Sequence, residues 1–176
     1  MRLLTPELYC ISALQVTSVA GHAIATRQLD FNLSRRSAII INQLQSSWVF
    51  ADSLGVSANF VTQECDLDPD NVDVWQGHST PVAVEYDSSR VLRHVEGGIT
   101  NVVTDNTFSL VKNQILLKKW HDVELERRPM SITAMRHHLA VDSNVAASVV
   151  DGQLMIWYHI AELTLEELGI LNASRR

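Results

Sequence analysis

Four aspartates stand close together in one turn-forming segment and could bind a hard cation. They are Asp66, Asp68, Asp70 and Asp73. Ca²⁺ takes several carboxylate oxygens on a flexible turn, so the sequence predicts a structural Ca²⁺ site at Asp66, Asp68 and Asp70. The segment departs from an EF-hand loop, because Asn71 replaces the turn glycine and Gly77 replaces the bidentate glutamate. An exposed acidic turn without an ion is the alternative.

The chain has seven histidines, and imidazole is a common ligand of zinc and iron. They are His22, His78, His94, His121, His137, His138 and His159. His137 and His138 are adjacent, so in a strand they point to opposite faces and cannot bind one ion together. The His-x-His pair of the cupin enzymes does not occur. The spacing therefore predicts structural or surface histidines.

No segment has the pattern of an activated nucleophile. The Gly-x-Ser-x-Gly elbow does not occur, and neither Cys10 nor Cys65 has a local activating motif. No lysine follows Gly97-Gly98 as it would in a phosphate-binding loop. The sequence predicts a protein that is not an enzyme and needs no cofactor apart from the Ca²⁺ ion. A cupin-type enzyme stays as a third interpretation, because catalytic groups can assemble from distant positions.

Composition and charge restrict the classes of partner. The chain has 176 residues and 46% apolar residues, which suits a single domain over 1–176. The formal net charge is −6 and the 14 Lys and Arg residues are scattered, so sequence-specific binding of nucleic acid is not expected. Residues 1–14 resemble neither a signal peptide nor a membrane span, so a soluble or peripheral protein is expected.

The segments that carry these residues are mainly β-strands by pattern. Strands are predicted at 11–18, 22–33, 38–50, 57–63, 82–86, 91–95, 108–111, 115–117, 123–125, 131–135 and 138–141. The third predicted strand, 38–50, begins with the fully apolar run 38–41 that is typical of a buried strand. Residues 67–81 are predicted to form a long loop. Short strands about ten residues apart predict an all-β fold, which can be a β-sandwich, a jelly roll or a barrel.

The end of the chain predicts a strand that leads directly into a short helix. Residues 154–162 alternate as a strand does, and the Asp151-Gly152 dipeptide predicts a tight turn that pairs 146–150 with them. Thr164 has the position of a helix N-cap, and Glu167 is placed to return its hydrogen bond. The fold class therefore includes a short C-terminal helix.

Large side chains on both faces of the last strand need cover on both sides. Met155, Trp157 and His159 lie opposite the face that carries Leu154 and Ile156. A second sheet, the C-terminal helix or a neighbouring subunit would cover them. A neighbouring subunit would make this chain an assembly protein.

Two segments have a characteristic order of elements. The first, 29–41, is a strand, a polar-basic turn and an apolar run, and the second, 156–168, is the strand that leads into the helix. Together they resemble the ends of the single jelly-roll major capsid proteins of icosahedral bacterial and archaeal viruses, of the sphaerolipovirus type. The resemblance implies a virion protein, assembled in the host cytoplasm, that forms an icosahedral shell with copies of itself and with other capsid proteins. It also implies an internal membrane beneath the shell.

Two functions of different classes stay open. The first is the capsid subunit that the resemblance implies, although a capsid protein from a halophilic host should be more acidic than this chain. The second is a β-sandwich ligand-binding module, either carbohydrate-binding or associated with a phage tail. Trp75, Trp120 or Tyr86 would line its pocket.

Overall fold

Two antiparallel sheets pack face to face in the computed structural model, which describes residues 1–17, 21–50, 58–67, 91–100, 114–143 and 149–173. The strands are β1 (Arg2–Leu3), β2 (Leu8–Thr17), β3 (Gly21–Asp30), β4 (Ser37–Phe50), β5 (Ala58–Leu67), β6 (Val91–Thr100), β7 (Gln114–Lys119), β8 (Met130–Ser131), β9 (Ala134–Ser143) and β10 (Val149–Glu162). A 3-10 helix spans Leu125–Arg127, and the α-helix α1 spans Leu165–Ala173.

The order of the strands is that of a jelly roll. The first sheet runs β2-β10-β4-β7, with β1 paired to the end of β10 and β8 to the start of β4. The second sheet runs β3-β9-β5-β6. The chain crosses between the sheets from β2 to β3, from β3 to β4 and from β4 to β5, as in a double-sheet jelly roll. The predicted all-β jelly roll with a short C-terminal helix is confirmed.

Most predicted strands that fall on described residues are present, with shifted ends. The predicted strands 11–18, 22–33 and 38–50 correspond to β2, β3 and β4. The segment 123–125 is not a strand, because it leads into the 3-10 helix, and 131–135 and 138–141 largely merge into the continuous strand β9. The predicted strands 82–86 and 108–111 lie outside the described residues, as does the predicted long loop 67–81 apart from Leu67, which is the last residue of β5.

The predicted hairpin at Asp151-Gly152 is wrong. Both residues lie inside β10, whose partners are β2 on one side and β4 on the other. Gly152 is needed there for close packing and not for a turn, since a Cβ atom on it would lie 2.8 Å from Leu139 Cδ2 of the second sheet. A glycine within a strand often marks such a close approach, which sequence pattern alone does not separate from a turn.

The core lies between the sheets in two clusters. One includes Ile41 and Ile156 of the first sheet and Met135 of the second. The other includes Trp48 of the first sheet and Leu139 of the second. All four residues of the run 38–41 are fully buried, as the sequence predicted for the start of this strand.

Helix α1 begins with the predicted capping box. Glu167 N donates to Thr164 Oγ1 over 3.2 Å, and Thr164 N donates to Glu167 Oε2 over 2.7 Å. The amino group of Met1, 2.8 Å from Glu167 Oε1, and these hydrogen bonds lower the pKa of Glu167 to about 2. Within the described part of the chain, no helix has the length and apolar character needed to cross a bilayer.

Candidate functional site

The predicted Ca²⁺ site falls mostly outside the described residues. Asp66 is in β5, where its backbone pairs with Arg136 and Val91, whereas Asp68 and Asp70 lie outside the described residues. In the described ranges, no group of three or more His, Cys, Asp or Glu side chains is placed to hold a metal. Calcium binding at Asp66, Asp68 and Asp70 stays a prediction. A Ca²⁺-dependent melting temperature that is lost in the D68N/D70N double variant would support it, and a melting temperature unaffected by Ca²⁺ would contradict it.

The two adjacent histidines point to opposite faces of β9, as predicted. The side chain of His137 lies between the sheets and is fully buried. His138 is also buried, and its Nδ1 lies 3.0 Å from Thr26 Oγ1 of β3. The two rings therefore lie on opposite sides of the second sheet and cannot bind one metal ion together.

A buried hydrogen-bond network, centred on His137, joins the two sheets. Gln63 of β5 places its Nε2 2.9 Å from His137 Nε2 and 3.1 Å from the carbonyl oxygen of Gln153 in β10. His137 Nδ1 lies 2.9 Å from Ser12 Oγ of β2. Ser12, Gln63 and His137 are each at most 1% exposed. We call these three side chains, with the Gln153 carbonyl, the inter-sheet network.

The partners fix the protonation state of His137. A carbonyl oxygen only accepts, so the bond to Gln153 places the Gln63 amide nitrogen toward both acceptors. His137 Nε2 then accepts from Gln63, and the ring carries its proton on Nδ1, which donates to Ser12 Oγ. This arrangement satisfies a neutral imidazole with one donor and one acceptor.

Burial keeps His137 neutral well below neutral pH. Loss of solvation is the main cause, and the positive charges of His138 and Arg27 add to it, so the pKa of His137 falls from 6.5 to about 3. Gln63 Oε1 is buried without a hydrogen-bond partner among the described atoms. The network therefore accommodates a neutral ring and leaves one acceptor unused.

Sequence reasoning did not find this network, although a local signal exists. At one level of the sandwich, a polar residue replaces the apolar residue expected by strand alternation in each of three strands. The inward series are Cys10-Ser12-Leu14, Val61-Gln63-Cys65 and Met135-His137-Leu139. The sequence therefore shows one polar residue in each of three inward-facing series. It does not show that the three residues meet, because that depends on the register between strands that are not neighbours.

The outer side of the first sheet carries a second candidate feature, an uncovered apolar surface. Leu154 and Ile156 point into the core, so Met155 and Trp157 point away from the second sheet. Across the ladder, Met155 pairs with Ile11 and Trp157 pairs with Tyr9. Gln45 lies between Met155 and Leu117 of β7. We define the outer apolar face as Tyr9, Ile11, Leu117, Met155 and Trp157.

Three residues of this face are well exposed to solvent, whereas Met155 and Trp157 are half-buried. Tyr9 is 66% exposed, Leu117 47% and Ile11 46%. The sequence predicted that a second sheet, the C-terminal helix or a neighbouring subunit would cover Met155 and Trp157. The second sheet does not cover them, because it packs on the opposite side of β10. Helix α1 lies next to Met1 and Met130, with which it lines a cavity of about 220 Å³. The contiguous apolar surface is the kind that marks a contact with another molecule.

A shallow cavity of about 490 Å³ lies on the same sheet. Its lining combines the polar residues Gln15, Ser47, Asp151 and Gln153 with the apolar residues Ala13, Leu14, Trp48 and Val49. Gln15 Nε2 donates to Asp151 Oδ1 over 2.8 Å, so two of these polar groups already hold each other. Amide, hydroxyl and carboxylate groups in a shallow cavity are suited to a polar ligand.

Trp120, one of the three residues predicted to line the pocket of a binding module, lies at the edge of the core. It is half-buried and packs against the first core cluster, and Lys118 Nζ lies 5.1 Å from the centre of its ring. Trp120 N also donates to the carbonyl oxygen of Asn42. Trp75 and Tyr86, the other residues of the predicted pocket, lie outside the described residues.

Neither cysteine is in a disulfide, and the environment of each disfavours nucleophilic chemistry. Cys65 is fully buried in the core. Burial raises the pKa of the Cys10 thiol to about 11. Since the thiolate is the reactive form, Cys10 is a poor nucleophile at neutral pH.

The comparisons with known proteins find similarity among solved structures only. No family model matches the chain, and no curated protein is significantly similar in sequence. A solved chain from Desmodium yellow mottle tymovirus is 9% identical, with a TM-score of 0.34, over 91% of this chain and 93% of the other. At this sequence identity and TM-score, the match assigns no function to this chain.

Proposed function

We propose that this protein is a structural subunit that assembles with copies of itself into a virus shell. In its finer form the proposal is a single jelly-roll major capsid protein of an icosahedral bacterial or archaeal virus, located in the virion. Jelly rolls occur in capsid proteins, and also in lectins and cupins, so the fold alone does not select the first class. The outer apolar face is the observation that carries the proposal.

The composition of this face suits a contact between protein subunits. It combines a tyrosine, a tryptophan and a methionine, which are enriched in the centres of protein interfaces, and it contains no charged residue. The half-exposed Gln43 and Gln45 lie among the apolar side chains and supply hydrogen-bonding groups. A rigid sheet presents these groups at little cost in conformational entropy.

Charge at the margins supports a second copy of the chain as the partner. Lys119 lies beside Gln43 at the β7 margin, and Asp151 lies toward the far end of β10. A two-fold axis in the plane of the face would bring Lys119 of one copy to Asp151 of the other, twice in the same contact. The occupant of the outer apolar face is therefore a second copy.

The test compares two leucine-to-glutamate variants. Leu117 is in the outer apolar face, whereas Leu165 is 72% exposed on α1 and serves as the matched control. Light scattering and negative-stain electron microscopy across salt concentrations should show oligomers or shells for the wild type and for L165E. They should show a monomer of about 20 kDa, the mass of one chain, for L117E, because a buried unpaired carboxylate opposes association.

Two results would overturn the proposal. One is a wild-type protein that stays monomeric under every condition. The other is an L117E variant that assembles as well as the wild type and L165E. Circular dichroism of both variants, with wild-type spectra, would show that loss of assembly is not loss of fold.

A ligand-binding module is the second candidate, and the cavity next to Gln15 and Asp151 is the observation that favours it. Its polar lining would bind the hydroxyl groups of a sugar. Saturable binding of a carbohydrate by a monomer, lost in a Q153A variant, would support this function. Shells formed by the wild type without sugar binding would reject it.

A further inference from the structure

We propose that the inter-sheet network makes the jelly roll sensitive to acid: His137 joins the two sheets while it is neutral, and uptake of one proton separates β2 and β10 from β5 and β9. The inference concerns the fold of a single subunit, so it does not rest on the proposed function. Both hydrogen bonds of the network that cross between the sheets involve His137 or its partner Gln63.

A proton on His137 Nε2 conflicts with the position of Gln63. The amide nitrogen of Gln63, 2.9 Å away, is a donor, so a protonated ring would bring two donors together. Rotation of the amide would turn Gln63 Oε1, which has no partner, toward the ring. The same rotation would bring this oxygen to the carbonyl of Gln153 and break that bond. Either way, one contact of the network is lost.

Among the side chains that the structure describes, the groups around His137 provide no compensating negative charge. Ser12 and the Gln153 carbonyl face it from β2 and β10, and Gln63 and the thiol-bearing Cys65 flank it on β5. The charged groups that act on it are Arg27, its neighbour on β3, and His138 of its own strand, and both are cationic when charged. An unpaired buried charge is strongly unfavourable.

The direction of the pH effect follows from the two states. In the unfolded chain His137 takes up a proton near pH 6.5, whereas in the folded chain it stays neutral down to about pH 3. The unfolded state therefore binds more protons between these values, and stability is complete above pH 6.5 and is lost as the pH falls. From pH 7 to pH 5, this one group lowers the folding equilibrium constant roughly 25-fold.

The experiment measures urea unfolding at pH 7 and pH 5 for the wild type, H137Q and H121Q. H121Q is the matched control, because His121 is 47% exposed and its removal leaves the network intact. The wild type and H121Q should show equal losses of the folding constant, and H137Q a loss roughly 25-fold smaller. Glu167, whose pKa falls from 4.5 to about 2, acts below this pH range.

A measurement on the wild type covers the case in which H137Q does not fold. Nitrogen-15 NMR of the imidazole nitrogens should show His137 neutral, with its proton on Nδ1, in folded protein at pH 5. A charged His137 in folded protein at pH 5 would overturn the proposal, as would equal pH dependence of H137Q and the wild type. If the protein is a capsid subunit, its shells should also weaken in acid, but the unfolding test stands even if no shell forms.

Discussion

At the residue scale, two buried serines of the first sheet show that a buried polar group does not always stabilise the fold. Ser12 and Ser46 are both at most 1% exposed. Ser12 accepts a hydrogen bond from His137, whereas Ser46 Oγ has no hydrogen-bond partner among the described residues. A buried hydroxyl stabilises the fold only when it is hydrogen-bonded.

We therefore expect opposite results from two serine-to-alanine changes. S12A should lower the free energy of unfolding by about 1–3 kcal/mol, because His137 Nδ1 is left buried without a partner. S46A should leave it unchanged or raise it slightly, because the loss of an unpaired hydroxyl removes a desolvation cost. Urea unfolding at pH 7 measures both values. Equal destabilisation by the two variants would contradict the assignment of the network.

At the element scale, two glycines have opposite roles in their strand and helix. Gly152 lies near the start of β10 and faces Leu139 of the second sheet, and its missing side chain lets the two sheets approach. Gly169 lies within α1, where a Cβ atom would have no neighbour within 4 Å. The first glycine is required by packing, and the second only adds conformational freedom to the unfolded chain.

Alanine at these positions should therefore change stability in opposite directions. G152A should lower the free energy of unfolding by about 1–3 kcal/mol, because its Cβ would lie 2.8 and 2.9 Å from the Leu139 methyl groups. G169A should raise it by about 0.5–1 kcal/mol, because alanine favours the helix. Thermal and urea unfolding measure both changes. A G152A protein as stable as the wild type would refute the close approach at this position.

At the scale of the whole molecule, strands β2 and β10 contribute to both candidate features. Their inward sides contain Ser12 and the Gln153 carbonyl of the network, and their outward sides contain Ile11 and Met155 of the outer apolar face. Association on the outward side requires these strands to be folded. A contact made only by the folded state stabilises that state by mass action.

Assembly should therefore oppose unfolding in acid. At concentrations where the wild type associates, its midpoint of acid unfolding should lie at a lower pH than that of L117E, because only the wild type gains the contact. Tryptophan fluorescence during a pH titration follows both proteins. Dilution below the association threshold should remove the difference, and a difference that persists on dilution would contradict the link between the two features.

Local pattern was sufficient for much of the fold. Alternation placed β2, β3 and β4 to within a few residues, and the spacing of Thr164 and Glu167 located the start of α1. The same local reasoning misread Asp151-Gly152 as a turn, because the dipeptide satisfies a hairpin rule and the contact with Leu139 is not local. Pairing between distant strands is outside the range of such rules.

The sequence by itself determined the all-β class, the helix start and the opposite orientation of His137 and His138, because all three follow from the fixed periods of strand and helix. Only the tertiary structure decided what each side of a strand faces. Ser12, Gln63 and His137 are 51 and 74 residues apart along the chain and meet because register aligns β2, β5 and β9 at one level. The same register places Met155 and Trp157, both half-buried, on the outer side, since the second sheet can pack on only one side of β10.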